Sequence, residues 1–342
     1  MPFAPLPPDW PALADPQLLD LRMRDLPLHI EGSALEARIA DLRAELDSRE
    51  LRFPLHFYLS DEWFTHDDVS AIAIAFYLAH PRLSQLEKAQ MLEVEGGDYE
   101  WCMRILRHEA GHAIDNAYAL RRRHQRRLLF GSPRQPYPES YTPKPYSKSY
   151  VLHLDSWYAQ SHPDEDFAET FAVWLTPNSG WKKRYAGWPA LKKLEYMDSL
   201  MQSLRGRPPV VSSIEEVDPL RHHRKTLRQH YRRKRRRYGV GHTGFYDRDL
   251  RRLFSDAPEF ATNVSAAQFL ARMRQPVRRL VAGWTGIYQY TIDQVIEDMI
   301  TRSRELKLRL ALPEDQAREQ CTVLLTVQAM NHLHTGGHRV AL

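Results

Sequence analysis

The stretch His108-Glu109-Ala110-Gly111-His112 decides how the rest of the chain is interpreted. It lies in a segment, about Tyr99 to Arg123, that predicts a long helix after the turn at 95–98. Residues four apart on a helix share a face, so His108 and His112 can offer two imidazole nitrogens to one cation. Glu109 then stands beside the metal and can take a proton from metal-bound water. The pattern predicts a hydrolytic metal site, of which it supplies only part.

A third ligand has to come from elsewhere, because catalytic zinc takes three protein ligands and keeps a fourth position open. The two cysteines lie far apart and lack the spacing of a thiolate zinc site, so that ligand must be His, Asp or Glu. Residues 164–175 predict a second helix, apolar except for its acids, with Glu165 and Glu169 one turn apart. If Glu165 binds the metal, Glu169 can accept the free ring N–H of a ligand histidine. Asp166 and Glu169 are the alternative ligands.

A hydroxyl that donates to the developing oxyanion would complete such a site. Tyr158 is the first candidate for this role, and Tyr141, Tyr146 and Tyr150 are its alternatives.

Two further positions on the long helix are candidates for a packing or supporting role. Gly111 costs about 1 kcal/mol in a helix interior, which indicates that a side chain there would crowd the metal or a neighbouring strand. Asp115, near the helix face of His112, either supports a ligand or is a surface acid.

In order and spacing, these motifs resemble those of the gluzincins, zinc peptidases whose third ligand is glutamate. Among them, the likeness is to the anthrax lethal-factor-type catalytic domain; the motifs are 108–115, Tyr158 and 165–171. The resemblance covers about residues 99–204, and the chain also looks like bacterial proteins described as zinc-binding metallopeptidases. It implies hydrolysis of a peptide or protein substrate through a zinc-bound water. The implied roles are one zinc ion on His108, His112 and Glu165, Glu109 as general base, Glu169 beside a ligand histidine, and Tyr158 near the oxyanion.

The remaining pattern favours an α+β, zincin-like fold. Ser33 opens a capped helix to about Ser48, and 52–60 and 71–78 are short apolar runs that predict strands. Segments 266–282, 291–310 and 313–332 predict a helical C-terminal region. We expect an N-terminal arm and helix (1–50), a catalytic domain with a small twisted sheet (51–205), and a basic linker with a helical region (206–342).

Charge and hydropathy bear on location and partners. The chain has 342 residues and a net charge of +5, and much of the surplus lies in Arg221 to Arg237. This run predicts a contact with a polyanion or, alternatively, a solvated helix face. The chain shows neither a secretory leader pattern nor a run of 18 apolar residues, so we expect a cytoplasmic protein without a membrane span.

Two other classes of function stay open from the sequence. The same two histidines and one carboxylate could serve a non-protease amide hydrolase or an iron-dependent oxygenase. Alternatively, the chain could be a polyanion-binding protein with a vestigial zinc site. Metal analysis separates zinc from iron. Salt-dependent binding to DNA, RNA or acidic peptides, set against loss of peptidase activity in Glu109→Gln, discriminates the remaining functions.

Overall fold

Short apolar runs before residue 80 and long amphipathic segments after residue 98 produce a mainly helical α+β fold, so the predicted fold class is confirmed. The computed structural model describes residues 9–138, 141, 144, 147–238 and 246–334. These residues form two compact units: most of the chain up to residue 232 belongs to the first, and most of the chain from 233 onward to the second. The three-part division expected from the sequence stays a prediction.

The first unit contains a small mixed sheet. Its strands are β1 (His56–Ser60), β2 (Phe64–Thr65) and β3 (Ala71–Ala75), in the order β1-β3-β2. The central strand β3 pairs in parallel with β1 and antiparallel with β2. Every residue of β3 is buried, which explains its unbroken apolar sequence. The edge strand β2 is too short to have been recognised from the sequence.

Helices carry most of the first unit, and the last of them extends past the boundary at residue 232. Their order is α1 (Asp15–Leu18), α2 (Ala34–Ser48), α3 (Pro81–Met91), α4 (Tyr99–Ala117), α5 (His124–Phe130), α6 (Pro163–Leu175), α7 (Trp181–Arg184), α8 (Ala190–Leu204) and α9 (Leu227–Tyr238). Ser33 caps α2 as predicted, since its side chain accepts the N–H of Leu35.

The described part of the N-terminal arm has regular local structure. Residues 9–30 form short helical turns and bury Leu18 and Met23 completely. Backbone hydrogen bonds tie it to the basic run: Met23 N donates to Lys225 O, and Leu227 N donates to Leu21 O. These contacts over a long sequence separation could not be read from composition.

Helix α4 is shorter than predicted. It begins after Asp98, whose side chain accepts the N–H of Trp101, and it ends at Ala117 rather than near Arg123. Ala119 adopts a left-handed conformation with φ 50°, which breaks the helix before a short 3-10 turn at Leu120–Arg122. The residues from Ile105 to Ala117 are buried, so α4 lies in the interior of the first unit.

The second unit is mainly helical, as predicted. It comprises α10 (Asp247–Leu253), β4 (Phe254–Ser255), α11 (Ala266–Thr285), α12 (Gln289–Glu305), β5 (Arg309–Leu310) and α13 (Glu314–His334), with β4 and β5 antiparallel. Its apolar core is drawn from all four helices. Arg274 and Arg278 both pair with Asp293, which joins α11 to α12. Among the described residues, no helix is long and apolar enough to cross a bilayer.

Candidate metal centre

Helices α4 and α6 pack against each other and bring the two sequence motifs together. Their close approach depends on Gly111, because a Cβ atom there would lie 2.8 Å from Cα of Ala168 on α6. The expected reason for this glycine was crowding of the metal or of a strand. The structure corrects this: the neighbour is the backbone of helix α6.

The N-terminus of α6 is set by His162 and Pro163. The Nδ1 atom of His162 accepts the N–H of Asp164 at 3.2 Å, so the imidazole acts as the N-cap. Pro163 occupies the first helical position, where its missing N–H costs nothing. The first turn then carries Glu165 into the interior, facing α4.

Three ligand atoms converge between the two helices. The Nε2 atoms of His108 and His112 lie 3.1 Å apart, and Oε2 of Glu165 lies 3.0 Å from the first and 3.2 Å from the second. All three residues are buried, with exposed fractions of 3%, 7% and 4%. At these separations the three atoms can share protons when no metal is bound, and a cation that displaces those protons can bind all three at once.

This arrangement fits zinc. With zinc–ligand distances of about 2.0–2.1 Å, tetrahedral geometry places neighbouring ligand atoms about 3.3–3.4 Å apart, close to the three separations in this site. Two imidazoles and one carboxylate are also a ligand set that catalytic zinc uses. The residues present therefore suit a zinc ion with one position left for water or substrate.

The charges of the three residues are strongly coupled. Burial alone would lower the pKa of His108, but Glu165 and Glu169 outweigh it and raise that pKa well above its usual value. Burial would raise the pKa of Glu165, yet His112 and His108 hold it well below the usual range. The pocket therefore keeps a carboxylate ionised in the interior and attracts positive charge.

Glu169 lies one turn beyond Glu165 and orients His108. Its Oε1 accepts Nδ1–H of His108 at 2.9 Å, and its Oε2 accepts the N–H of Leu154, also at 2.9 Å. The first bond keeps one proton of His108 on Nδ1, so Nε2 is the nitrogen that a metal would bind, in place of the second proton.

Glu109 is held from the edge of the sheet. Its Oε2 accepts a hydrogen bond from the hydroxyl of Thr65 at 2.8 Å, and only 7% of its surface is exposed. Thr65 is the last residue of β2, so the short edge strand fixes the carboxylate that follows His108 in sequence. The sequence carried no signal for this contact.

Two tyrosines flank the ligands, and only one of them was expected. The ring of Tyr158 lies 5.5 Å from the ring of His108. The unexpected one is Tyr137, whose hydroxyl donates to Oε1 of Glu165 at 3.0 Å. Burial and the neighbouring Glu165 carboxylate raise the pKa of Tyr137, so the hydroxyl stays protonated and donates. Tyr137 follows Pro136 and precedes Pro138 in a segment rich in proline and tyrosine, and this composition is the one signal in the sequence that points to it.

Tyr150, one of the alternative candidates for the oxyanion donor, has a different neighbour. Tyr150 lies under the ammonium group of Lys193, whose Nζ is 4.3 Å from the ring centroid. Lys193 in turn pairs with Asp166 at 2.6 Å, so Asp166 faces away from the three ligand atoms toward α8. Tyr146 lies outside the described residues.

Asp115 is buried and belongs to an ionic network rather than to the surface. Its Oδ2 accepts from Arg126 at 2.7 Å and from Arg121 at 3.2 Å. Arg126, fully buried on α5, also bonds Asp164 Oδ1 at 2.7 Å. The guanidinium thus joins the end of α4 to the start of α6, the two segments that carry the ligands.

A second grouping of potential ligands, Asp61, Asp218 and His223, is already compensated within the chain. Lys225 pairs with Asp61, and Nε2–H of His223 donates to the carbonyl of Asp218 at 3.0 Å. Because these charges and donors are satisfied, the group does not call for a metal.

The comparisons with known proteins agree with the first site. Residues 66–182 match the model of a family described as "Putative zinc-binding metallo-peptidase". No curated protein and no solved structure matched the chain. The matched region contains His108, His112 and Glu165, and it supports the assignment of this part of the chain as a zinc-binding metallopeptidase.

Proposed function

We propose that the chain is a gluzincin-type zinc peptidase that holds one zinc ion on His108, His112 and Glu165. The convergence of their three ligand atoms within 3.2 Å carries this proposal. The family match over residues 66–182 supports zinc and a peptide or protein substrate.

When bound, zinc would polarise the scissile carbonyl and lower the pKa of the attacking water. Glu109 is the general base: its carboxylate removes a proton from the water as the oxygen attacks the carbonyl carbon. The same proton then passes to the leaving amine as the C–N bond breaks. The hydrogen bond from Thr65 holds the carboxylate in place through both transfers.

The hydroxyl of Tyr158 is the proposed donor to the oxyanion. The ring stands beside His108, on a short 3-10 turn, Asp155–Gln160, that precedes α6. A donor aimed at the developing negative charge stabilises the transition state more than the substrate, which raises the rate.

Glu169 and Asp115 act through other residues. Glu169 keeps the ring of His108 in one tautomer and orientation. Asp115 keeps α4 in register with α6 through Arg126. Both roles concern the position of the ligands rather than contact with a substrate.

The basic run from Arg221 to Arg237 gains no support as a polyanion site. Arg228 pairs with Asp20 at 2.7 Å, and Arg221 pairs with Glu216. Part of the run is therefore already paired with carboxylates of the first unit. Other cations, such as Arg224 and Arg232, are exposed, and a polyanion contact stays a prediction.

Metal analysis combined with substitutions tests the proposal. We expect purified protein to hold about one zinc ion per chain and His108→Ala to lose it. Glu109→Gln should retain zinc but lose at least about 100-fold in cleavage of a mixed peptide library read by mass spectrometry. The matched control is Glu100→Gln, an exposed carboxylate in the first turn of the same helix, which should keep both properties.

Two results would contradict the proposal. One is protein without stoichiometric zinc; the other is His108→Ala with the metal content of the wild type. Stoichiometric iron instead of zinc would favour the oxygenase alternative.

A further inference from the structure

The two oxygens of the Glu165 carboxylate have different partners. Oε2 faces the Nε2 atoms of His108 and His112 at 3.0 and 3.2 Å. Oε1 accepts the hydroxyl of Tyr137 at 3.0 Å. One oxygen is thus directed to the metal pocket, while the other is already bound by a protein donor.

The ring of Tyr137 is itself held in position. It stacks on the imidazole of His162, with centroids 3.8 Å apart and planes 18° apart. His162 is buried and bonded on both sides: Nε2–H donates to Gln135 O at 2.9 Å, and Nδ1 accepts the N–H of Asp164. The platform beneath Tyr137 is therefore the N-cap of the helix that carries Glu165.

The loop reaches this platform because of Gly131. Its φ of +106° suits glycine, and a Cβ there would lie 3.2 Å from Cγ of Pro163, the first residue of α6. The chain can thus leave α5 and pass close to the start of α6, which brings Tyr137 over His162.

We propose that Tyr137 is a positioning residue that restricts Glu165 to binding zinc through a single oxygen. This inference rests on the proposed zinc peptidase function. A carboxylate that binds through both oxygens would take up a coordination position that a catalytic zinc keeps open for water or substrate. By binding Oε1, the hydroxyl of Tyr137 keeps that position free. This role differs from that of Tyr158, which is proposed to act on the oxyanion.

The test uses Tyr137→Phe, which keeps the stacked ring and removes only the hydroxyl. Its matched control is Tyr99→Phe: Tyr99 is also about half exposed (46% against 47%), and its hydroxyl also donates to a carboxylate, Asp41, at 2.9 Å. Two properties are measured on the full chain. One is the visible absorption of the cobalt(II)-substituted protein, which is stronger for four-coordinate than for five-coordinate cobalt. The other is zinc affinity, by competition with a chelator.

We expect Tyr137→Phe to weaken and shift the cobalt absorption and to change zinc affinity by about tenfold, with Tyr99→Phe matching the wild type. With a cleavable peptide, kcat should fall while KM changes little. A Tyr137→Phe variant with the cobalt spectrum of the wild type would overturn the inference and leave the zinc site standing. A wild-type chain without stoichiometric zinc would instead overturn the proposed function itself.

Discussion

The hydroxyl of Thr65 lies 2.8 Å from Oε2 of Glu109 and links the edge strand β2 to helix α4. A hydroxyl cannot accept from an ionised carboxylate, so Thr65 donates and stabilises its negative charge. The proposed general base is therefore held by a residue 44 positions away in sequence.

Replacing Thr65 with valine removes this donor and preserves the shape of the side chain. A hydrogen bond to a charged group contributes about 1.5–3 kcal/mol, so kcat/KM should fall about tenfold or more. Zinc content should not change, and Thr65→Ser should retain most of the activity. Wild-type kcat/KM in Thr65→Val would show that the contact has no part in the reaction.

Replacing Gly111 with alanine should separate α4 from α6. The new Cβ would lie 2.8 Å from Cα of Ala168, which is backbone and cannot turn aside. We expect the free energy of unfolding to fall by about 1–3 kcal/mol and zinc affinity to weaken. Gly283→Ala is the control: it lies in α11 with nothing within 4 Å, and it should stabilise by up to about 1 kcal/mol. Equal effects in urea titrations of the two variants would contradict the close-approach argument.

Replacing Arg126 with methionine leaves Asp115 and Asp164 buried without their shared partner. Breaking a buried ion pair costs about 3–5 kcal/mol when the remaining charge is left unpaired. Arg121 still lies 3.2 Å from Asp115 and 3.5 Å from Asp164, so we expect a loss near the lower end of that range, about 3 kcal/mol. The loss should appear in urea unfolding followed by circular dichroism. Arg127→Met removes a neighbouring exposed arginine and should change stability by less than about 0.5 kcal/mol. Similar unfolding midpoints in both variants would argue against the network.

The stability of the protein should fall in acid partly because of His153. Burial lowers the pKa of His153 to about 4, and its Nε2–H donates to Arg104 O at 2.9 Å. An unfolded histidine has a pKa of about 6.5, so between these values the unfolded chain binds a proton that the folded chain does not. Neutral His153 therefore makes its full contribution to the free energy of unfolding above about pH 6.5. This contribution, up to about 3 kcal/mol, is lost as the pH falls toward 4.

His153→Gln keeps a donor for Arg104 O and removes the titration. The free energy of unfolding, measured at intervals across this pH window, should decline less steeply in the variant than in the wild type. Other titrating groups are common to both proteins, so they do not affect the comparison. Parallel curves would mean that His153 is protonated without cost in the folded protein.

Much of the fold followed from local pattern. Helical periodicity, the Ser33 cap and the helix over 164–175 all predicted elements that the structure contains. Two elements differ from the prediction, for different reasons. Helix α4 stops at Ala117 because Ala119 turns left-handed, and the N-terminal segment is ordered by backbone bonds to residues 225 and 227.

The sequence by itself determined the candidate ligands of the site. Spacing of four residues puts His108 and His112 on one helix face, and the same spacing puts Glu165 and Glu169 on another, because helix geometry depends only on local backbone. Only the tertiary structure decided how those faces meet. It brought Gly111 against Ala168, Thr65 to Glu109 and Tyr137 to Glu165. Such contacts join residues tens of positions apart, and packing, rather than periodicity, selects them.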